Sequence, residues 1–215
     1  MSSSRDAMLQ RIRQAVASGT RIHQHPVESA VYELHDSLDV PQRLAQFAHR
    51  VEEYKAWVGQ CDSQSVASII DQRIVFHGFR SLVVPTDFAP NWRPRVISLI
   101  EDNQLTAAQI ASTDGVISTC ALGIAQTGTI VLDGGIGQGR RMMTLLPDYH
   151  CCVVPASLIV GTVPEAFARL ADEVRQRRAP MTFISGPSAT SDIELNRVEG
   201  VHGPRTLEVI IVRDA

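Results

Sequence analysis

Near the end of the chain, Ser185-Gly186-Pro187-Ser188-Ala189-Thr190-Ser191-Asp192-Ile193-Glu194 is followed closely by Gly200-Val201-His202-Gly203-Pro204. Two Gly-Pro punctuated loops thus carry hydroxyls, carboxylates and an imidazole that turn formation alone does not require. Loops on a rigid scaffold are where binding groups concentrate. Ser188 and Thr190, beside Gly186, offer hydroxyl donors to a phosphate or carboxylate. Ser191 and Glu194 match a capping box, so Ser191 is expected to open a helix whose free N–H groups favour an anion. For those two residues helix capping is the preferred reading. Asp192 falls in the first helical turn, where its charge is favourable in any case, and it is also placed to serve as a general base. His202, fixed by flanking Gly and Pro, can titrate near neutral pH and move protons. His202 and Asp192 are therefore the candidate catalytic residues.

Two earlier segments carry further candidates. Gln126-Thr127-Gly128-Thr129 leads into an apolar run. Gly128 permits a positive φ or a close backbone approach, Thr127 offers a hydroxyl, and Gln126 can position a ligand by hydrogen bonds. The Gly-rich stretch Asp133–Arg141 contains Gly135-x-Gly137-x-Gly139, which is neither the dinucleotide fingerprint nor a P-loop. It reads as a mobile loop that brings Arg140 or Arg141 to an anion, a task suited to the forked guanidinium. His23 and His25 lack a third ligand, and His35, His49, His77 and His150 stand isolated, so no metal site is assigned. Cys61, Cys120, Cys151 and Cys152 form no CxxC pair. They read as buried thiols, with Cys151 and Cys152 on opposite faces of a strand.

The elements that must hold these groups follow from periodicity. Arg5–Ala17 has helical spacing, with Met8, Leu9, Ile12 and Val16 on one face. Residues 20–40 are polar and read as an arm. A second helix begins at Pro41 and buries Leu44, Phe47, Ala48, Val51, Tyr54 and Val58. A third begins with Asp62 as N-cap and runs to Gln72. Short, continuous apolar runs then follow: Arg73–Phe76, Leu82–Val84, Val96–Ile100, Gly115–Ser118, Thr129–Leu132, Cys151–Val154, Thr182–Ile184 and Leu207–Val212. Continuous runs suit strands covered on both faces. Helical stretches at Thr106–Ser112, Pro164–Gln176 and Ser191–Val198 alternate with them, which predicts an α/β fold with a mainly parallel sheet. The expected division is residues 1–60, N-terminal helices and arm packing on the main domain, and residues 61–215, the α/β domain.

Composition narrows the function. The 215 residues carry a formal charge of −3 with scattered basic residues, nearly all arginine, Lys55 being the sole lysine. No basic stripe with interleaved aromatics predicts a nucleic-acid surface. No apolar run approaches the roughly 20 residues of a membrane span, and the first residues lack a signal core, so a soluble, cytoplasmic protein is expected.

The ordered set Gly123–Thr129, Arg141 with Leu145-Leu146-Pro147 and His150, Gly186–Glu194, and Gly200–Pro204 resembles the lactate utilization protein C family, also called the LUD domain. These motifs cover about residues 110–212. The resemblance implies a Rossmann-like fold related to sugar-phosphate isomerases and CoA transferases. It also implies a role in oxidising lactate to pyruvate beside partner proteins that carry iron–sulfur clusters, this chain being the cluster-free member. The family pattern commonly has Glu where this chain has Gln126; a carboxylate there can act as base or nucleophile, whereas Gln can only position or polarise. Three functions remain open on these grounds. The first is a component of a lactate oxidation system that binds a small carboxylate or an anionic cofactor. The second is an independent hydrolase, isomerase or transferase acting on a phosphorylated or CoA-linked substrate. The third is a non-catalytic assembly factor for the iron–sulfur partners. The sequence assigns no cofactor, and it leaves self-association into a homo-oligomer open.

Overall fold

A computed structural model describes residues 4–17, 33–190, 198–199 and 203–215. The chain divides into two compact units, Met1–Tyr32 and Glu33–Ala215. The first holds helix α1 (Ser4–Ala17). All that follows concerns the second.

Helix α2 (Val40–Glu53) starts where its sequence dictates. The Asp39 side chain accepts from the Gln42 backbone N–H, the Gln42 side chain accepts from the Asp39 N–H, and Pro41 occupies the first turn, where a missing N–H is harmless. The helix stops at Glu53, and Lys55 takes φ 67°. Val58 therefore does not extend the helical stripe but belongs to strand β1 (Trp57–Cys61). Helix α3 (Val66–His77) absorbs Arg73–Phe76, a run whose composition alone predicts a strand. Val66, Ile70 and Ile74, spaced by four, form its buried face, and Gly78 ends it in the left-handed region, as glycine does without steric cost.

The remaining elements are β2 (Leu82–Val84), β3 (Ile100–Glu101), α4 (Ala107–Ala111), β4 (Gly115–Ser118), β5 (Leu122–Ile124), β6 (Thr129–Leu132), β7 (Tyr149–Pro155), β8 (Ile159–Val160), α5 (Val163–Arg177), β9 (Thr182–Ile184), β10 (Ala189–Thr190), β11 (Val198–Glu199) and β12 (Thr206–Val212). Of the expected strand Val96–Ile100 only Ile100 pairs. Capping boxes at Thr106/Gln109 and Thr162/Glu165 begin α4 and α5. The predicted helix from Ser191 lies outside the described residues up to Val198, which joins β11, paired antiparallel with β10.

The main sheet has the order β1-β12-β7-β4-β2-β3, and every neighbouring pair is parallel. This is the expected α/β architecture. A second sheet, β8-β5-β6-β9, is mixed. The main sheet is covered on both faces, which is why its strands are uniformly apolar. On one face, Cys151, Val153, Ile210 and Val212 pack with α3 residues Val66, Ile70 and Ile74. On the other, Cys152, Val154, Val209 and Ile211 pack with Phe47 and Val51 of α2 and Ile130 and Leu132 of β6. The two adjacent cysteines thus enter opposite cores, as strand alternation requires. Helix α5 covers the outer face of the second sheet through Ala166 and Leu170.

Candidate functional site

Alternation along β7 also sends Tyr149 and His150 to opposite faces. His150 shares its face with Cys152, toward the second sheet, and Ser118 at the end of β4 lies on the same side. The register pairs Val116 with His150 and Ser118 with Cys152. That diagonal brings Ser118 Oγ to 2.7 Å from His150 Nε2. Both residues are buried, at 0% and 1% exposure. Burial alone drives the His150 imidazole down to about 4, so it is neutral near pH 7.

His150 forms part of the lining of a cavity of about 270 Å³ between β9 and the amino ends of β7 and β12. The other polar walls are Arg141, Thr144, Thr182, Ser185, Gly186 and Ser188, and the apolar ones include Leu145, Ile184 and Leu207. The volume lies below the roughly 300–1,000 Å³ of sites for drug-sized ligands, so it suits a small metabolite. Arg141 opens a single 3-10 turn, Arg141–Thr144, and its Nη1 donates to Thr182 Oγ1. Among the described residues it has no carboxylate partner. Arg140, in contrast, is clamped by Asp102 and the Leu105 carbonyl. Of the two adjacent arginines, Arg141 is the one with a charge to offer.

The Gly-rich segment before it is not a free loop. Asp133 N–H donates to Gln138 Oε1, Gln138 Nε2 donates back to Asp133 Oδ1, and Thr119 holds the loop by donating its hydroxyl to the Ile136 carbonyl and its N–H to the Gly137 carbonyl. Gly134, Gly137 and Gly139 take positive φ, which explains the glycine content without a nucleotide. This segment forms part of the lining of a larger cavity of about 600 Å³ with Pro85 and Asp102, at the carboxyl ends of β2 and β3. Its Arg140 and Arg177 are paired with Asp102 and Asp133. The two cavities share Arg141, Thr144 and Thr182.

The candidates from the sequence fall into three groups. Arg141, Gly186 and Ser188 meet at the smaller cavity. Gln126, Thr127 and Gly128 do not line it; they form the turn between β5 and β6. Gln126 is exposed and its N–H donates to the Gly161 carbonyl, while Gly128 is pressed on α2, where an added Cβ would lie 2.7 Å from the Arg50 carbonyl carbon. Thr127 is linked to the cavity indirectly, through hydroxyl contacts from Thr127 to Thr129 at 2.7 Å and from Thr129 to Ser185 at 2.8 Å. His202, Asp192 and the side chain of Thr190 lie outside the described residues. The sequence places His150 in the family-like motif set without assigning it to the site, and gives Ser118 no role beyond the end of a strand. Only the strand register reveals that pair, since both look like ordinary polar interruptions of apolar runs.

On the opposite face a second polar cluster is structural. Glu208, 1% exposed, accepts from both nitrogens of the Arg73 fork at 2.9 and 2.6 Å and from Tyr149 Oη at 2.8 Å, and lies 2.7 Å from His77 Nε2. Burial alone would raise the Glu208 carboxyl, but these partners outweigh it and hold it below its ordinary range. Among the described residues no group of three or more His, Cys, Asp or Glu side chains is arranged to hold a metal ion, and no helix is long and apolar enough to cross a membrane.

The LUD domain profile matches residues 31–212. A protein of Deinococcus radiodurans named lactate utilization protein C is 39% identical over 206 residues, covering 95% of this chain and 93% of its own. A protein of the same name from Shouchella clausii is 30% identical over 167 residues, 72% of each chain. A crystal structure of a DUF162 family protein from Deinococcus radiodurans superposes with a TM-score of 0.72 at 34% identity, covering 82% of this chain and 99% of that one. With its α/β architecture and a profile match spanning nearly the whole second unit, the chain belongs to the LUD domain family.

Proposed function

We propose that this protein is the cluster-free component of a lactate utilization system, acting beside iron–sulfur partners, and that it binds a small carboxylate in the cavity of about 270 Å³. The lactate context is supported by relatives named lactate utilization protein C. The observation that carries the ligand class is the convergence of Arg141, which has no carboxylate partner among the described residues, with Gly186 and Ser188 at one small cavity. A guanidinium fork and nearby hydroxyls complement a carboxylate, and the apolar wall of Leu145, Ile184 and Leu207 suits a short alkyl group.

Deleting the gene from a host without a paralogue should abolish growth on lactate while sparing growth on glucose. Wild-type protein should restore growth, and an Arg141→Ala variant expressed at the same level should not. Unimpaired growth of the deletion strain on lactate would remove the pathway assignment. Full rescue by Arg141→Ala would remove the site.

A further inference from the structure

We propose that His150 reads the oxygen on the carbon next to the carboxylate, so that the cavity selects 2-hydroxy and 2-oxo carboxylates over plain ones. This rests on the carboxylate reading of the cavity given above.

Among the described residues His150 makes one side-chain hydrogen bond, through Nε2 to Ser118. Every side-chain nitrogen or oxygen that is wholly buried among the described residues has a partner. Nδ1 has no partner among the described residues, so Nδ1 is the ring nitrogen that retains the small accessible surface of this 1% exposed residue, and His150 is one of the residues lining the cavity. A polar atom is thereby presented in a cavity whose arginine is suited to hold a carboxylate.

Ser118 determines what that atom can do. A hydroxyl both donates and accepts. Ser118 Oγ donates to the Thr119 carbonyl at 3.0 Å, in which state it accepts from Nε2–H and leaves a lone pair on Nδ1. Nδ1 then accepts the proton of a 2-hydroxyl group in a hydrogen bond. If the Ser118 hydroxyl turns to donate to Nε2, Nδ1 carries the proton and donates to a 2-oxo group. Burial keeps the ring uncharged near pH 7, so both arrangements remain available. One buried serine therefore lets a single imidazole recognise a hydroxy acid and its keto counterpart. A carboxylate lacking the 2-oxygen leaves Nδ1 without a partner.

Isothermal titration of the full chain with L-lactate, pyruvate and propionate tests this. Lactate and pyruvate should each bind at least about fivefold more tightly than propionate, the worth of one neutral hydrogen bond. In His150→Gln, the side-chain amide reaches the former Nε2 position and keeps the bond to Ser118 but places nothing at Nδ1. That variant should retain its Tm and bind the three acids equally. Equal binding of lactate and propionate by the wild type overturns the proposal, as does an unchanged preference in His150→Gln. Should the variant not fold, the wild-type ratio decides alone. Absence of binding by all three acids is a separate result that removes the carboxylate reading itself, and this inference with it.

Discussion

Ser118 Oγ and His150 Nε2 lie 2.7 Å apart on neighbouring parallel strands, and neither residue exceeds 1% exposure. A neutral imidazole buried this way makes stability depend on acid. The ring titrates at about 4 in the folded protein against 6.5 ordinarily, so between those values the unfolded chain binds a proton that the folded one refuses. The stabilisation is complete above pH 6.5 and is lost as pH falls towards 4, a difference of roughly 3 kcal/mol. Urea unfolding of the wild type and His150→Gln at pH 7 and pH 4.5 measures it. The wild type should lose more stability than the variant on acidification; equal losses would place His150 in a more solvated setting.

Arg141 is exposed, and its described side-chain bond is to Thr182. Arg141→Ala should therefore leave Tm nearly unchanged while weakening lactate binding about tenfold or more, the scale of a charge-assisted hydrogen bond. Arg141→Lys keeps the charge without the fork and should fall between the two. Calorimetric titration of the three proteins checks the order, and an Arg141→Ala protein with wild-type affinity would move the ligand elsewhere.

Glu208 should behave in the opposite way. Its carboxylate is buried beneath Arg73, His77 and Tyr149, and removing one partner of a buried ion pair strands the other. Glu208→Gln should cost about 3–5 kcal/mol in urea unfolding without changing the ratio of lactate to propionate affinity, because the cluster faces α3 rather than the cavity. Since its partners hold the Glu208 carboxyl below its ordinary range, its contribution is present above the ordinary carboxylate pKa and is lost as pH drops below it. In Glu208→Gln that part of the acid sensitivity should vanish. A variant as stable as the wild type would show that the cluster contributes nothing net.

Much of the scaffold was legible because it rests on local rules. Asp39, Gln42 and Pro41 mark the start of α2 by chemistry within four residues, and the continuous apolar runs of β7 and β12 reflect a sheet covered twice. Where a short apolar run was read alone, it misled. Arg73–Phe76 has strand composition, yet Val66 and Ile70 at four-residue spacing bind it into α3. Val58 fits the α2 stripe by count, but the chain turns at Lys55 before reaching it. The cavity was half visible: Arg141, Gly186 and Ser188 sit in loops whose composition exceeds what turns need. His150 was visible only as one residue of the family-like motif set; its role was not, since that depends on the offset between β4 and β7, a long-range relation that no window of sequence contains.

The same distinction applies to Gly128, whose place beside Thr127 suggested a ligand but whose surroundings indicate packing. It takes φ +60°, and a Cβ there would lie 2.7 Å from the Arg50 carbonyl carbon and 2.8 Å from the Val51 nitrogen. Both are backbone atoms of α2, held by helical hydrogen bonds and unable to yield as a side-chain end would. Gly128→Ala combines an unfavourable backbone region with a helix that must shift, so it should cost more than about 2 kcal/mol and lower Tm by at least roughly 5 °C. Because Gly128 itself does not line the cavity, the fraction that remains folded should bind lactate with wild-type affinity. Differential scanning calorimetry with and without lactate separates the two effects. A variant with unchanged Tm and lost lactate binding would return Gly128 to the site and displace the cavity built around Arg141 and His150.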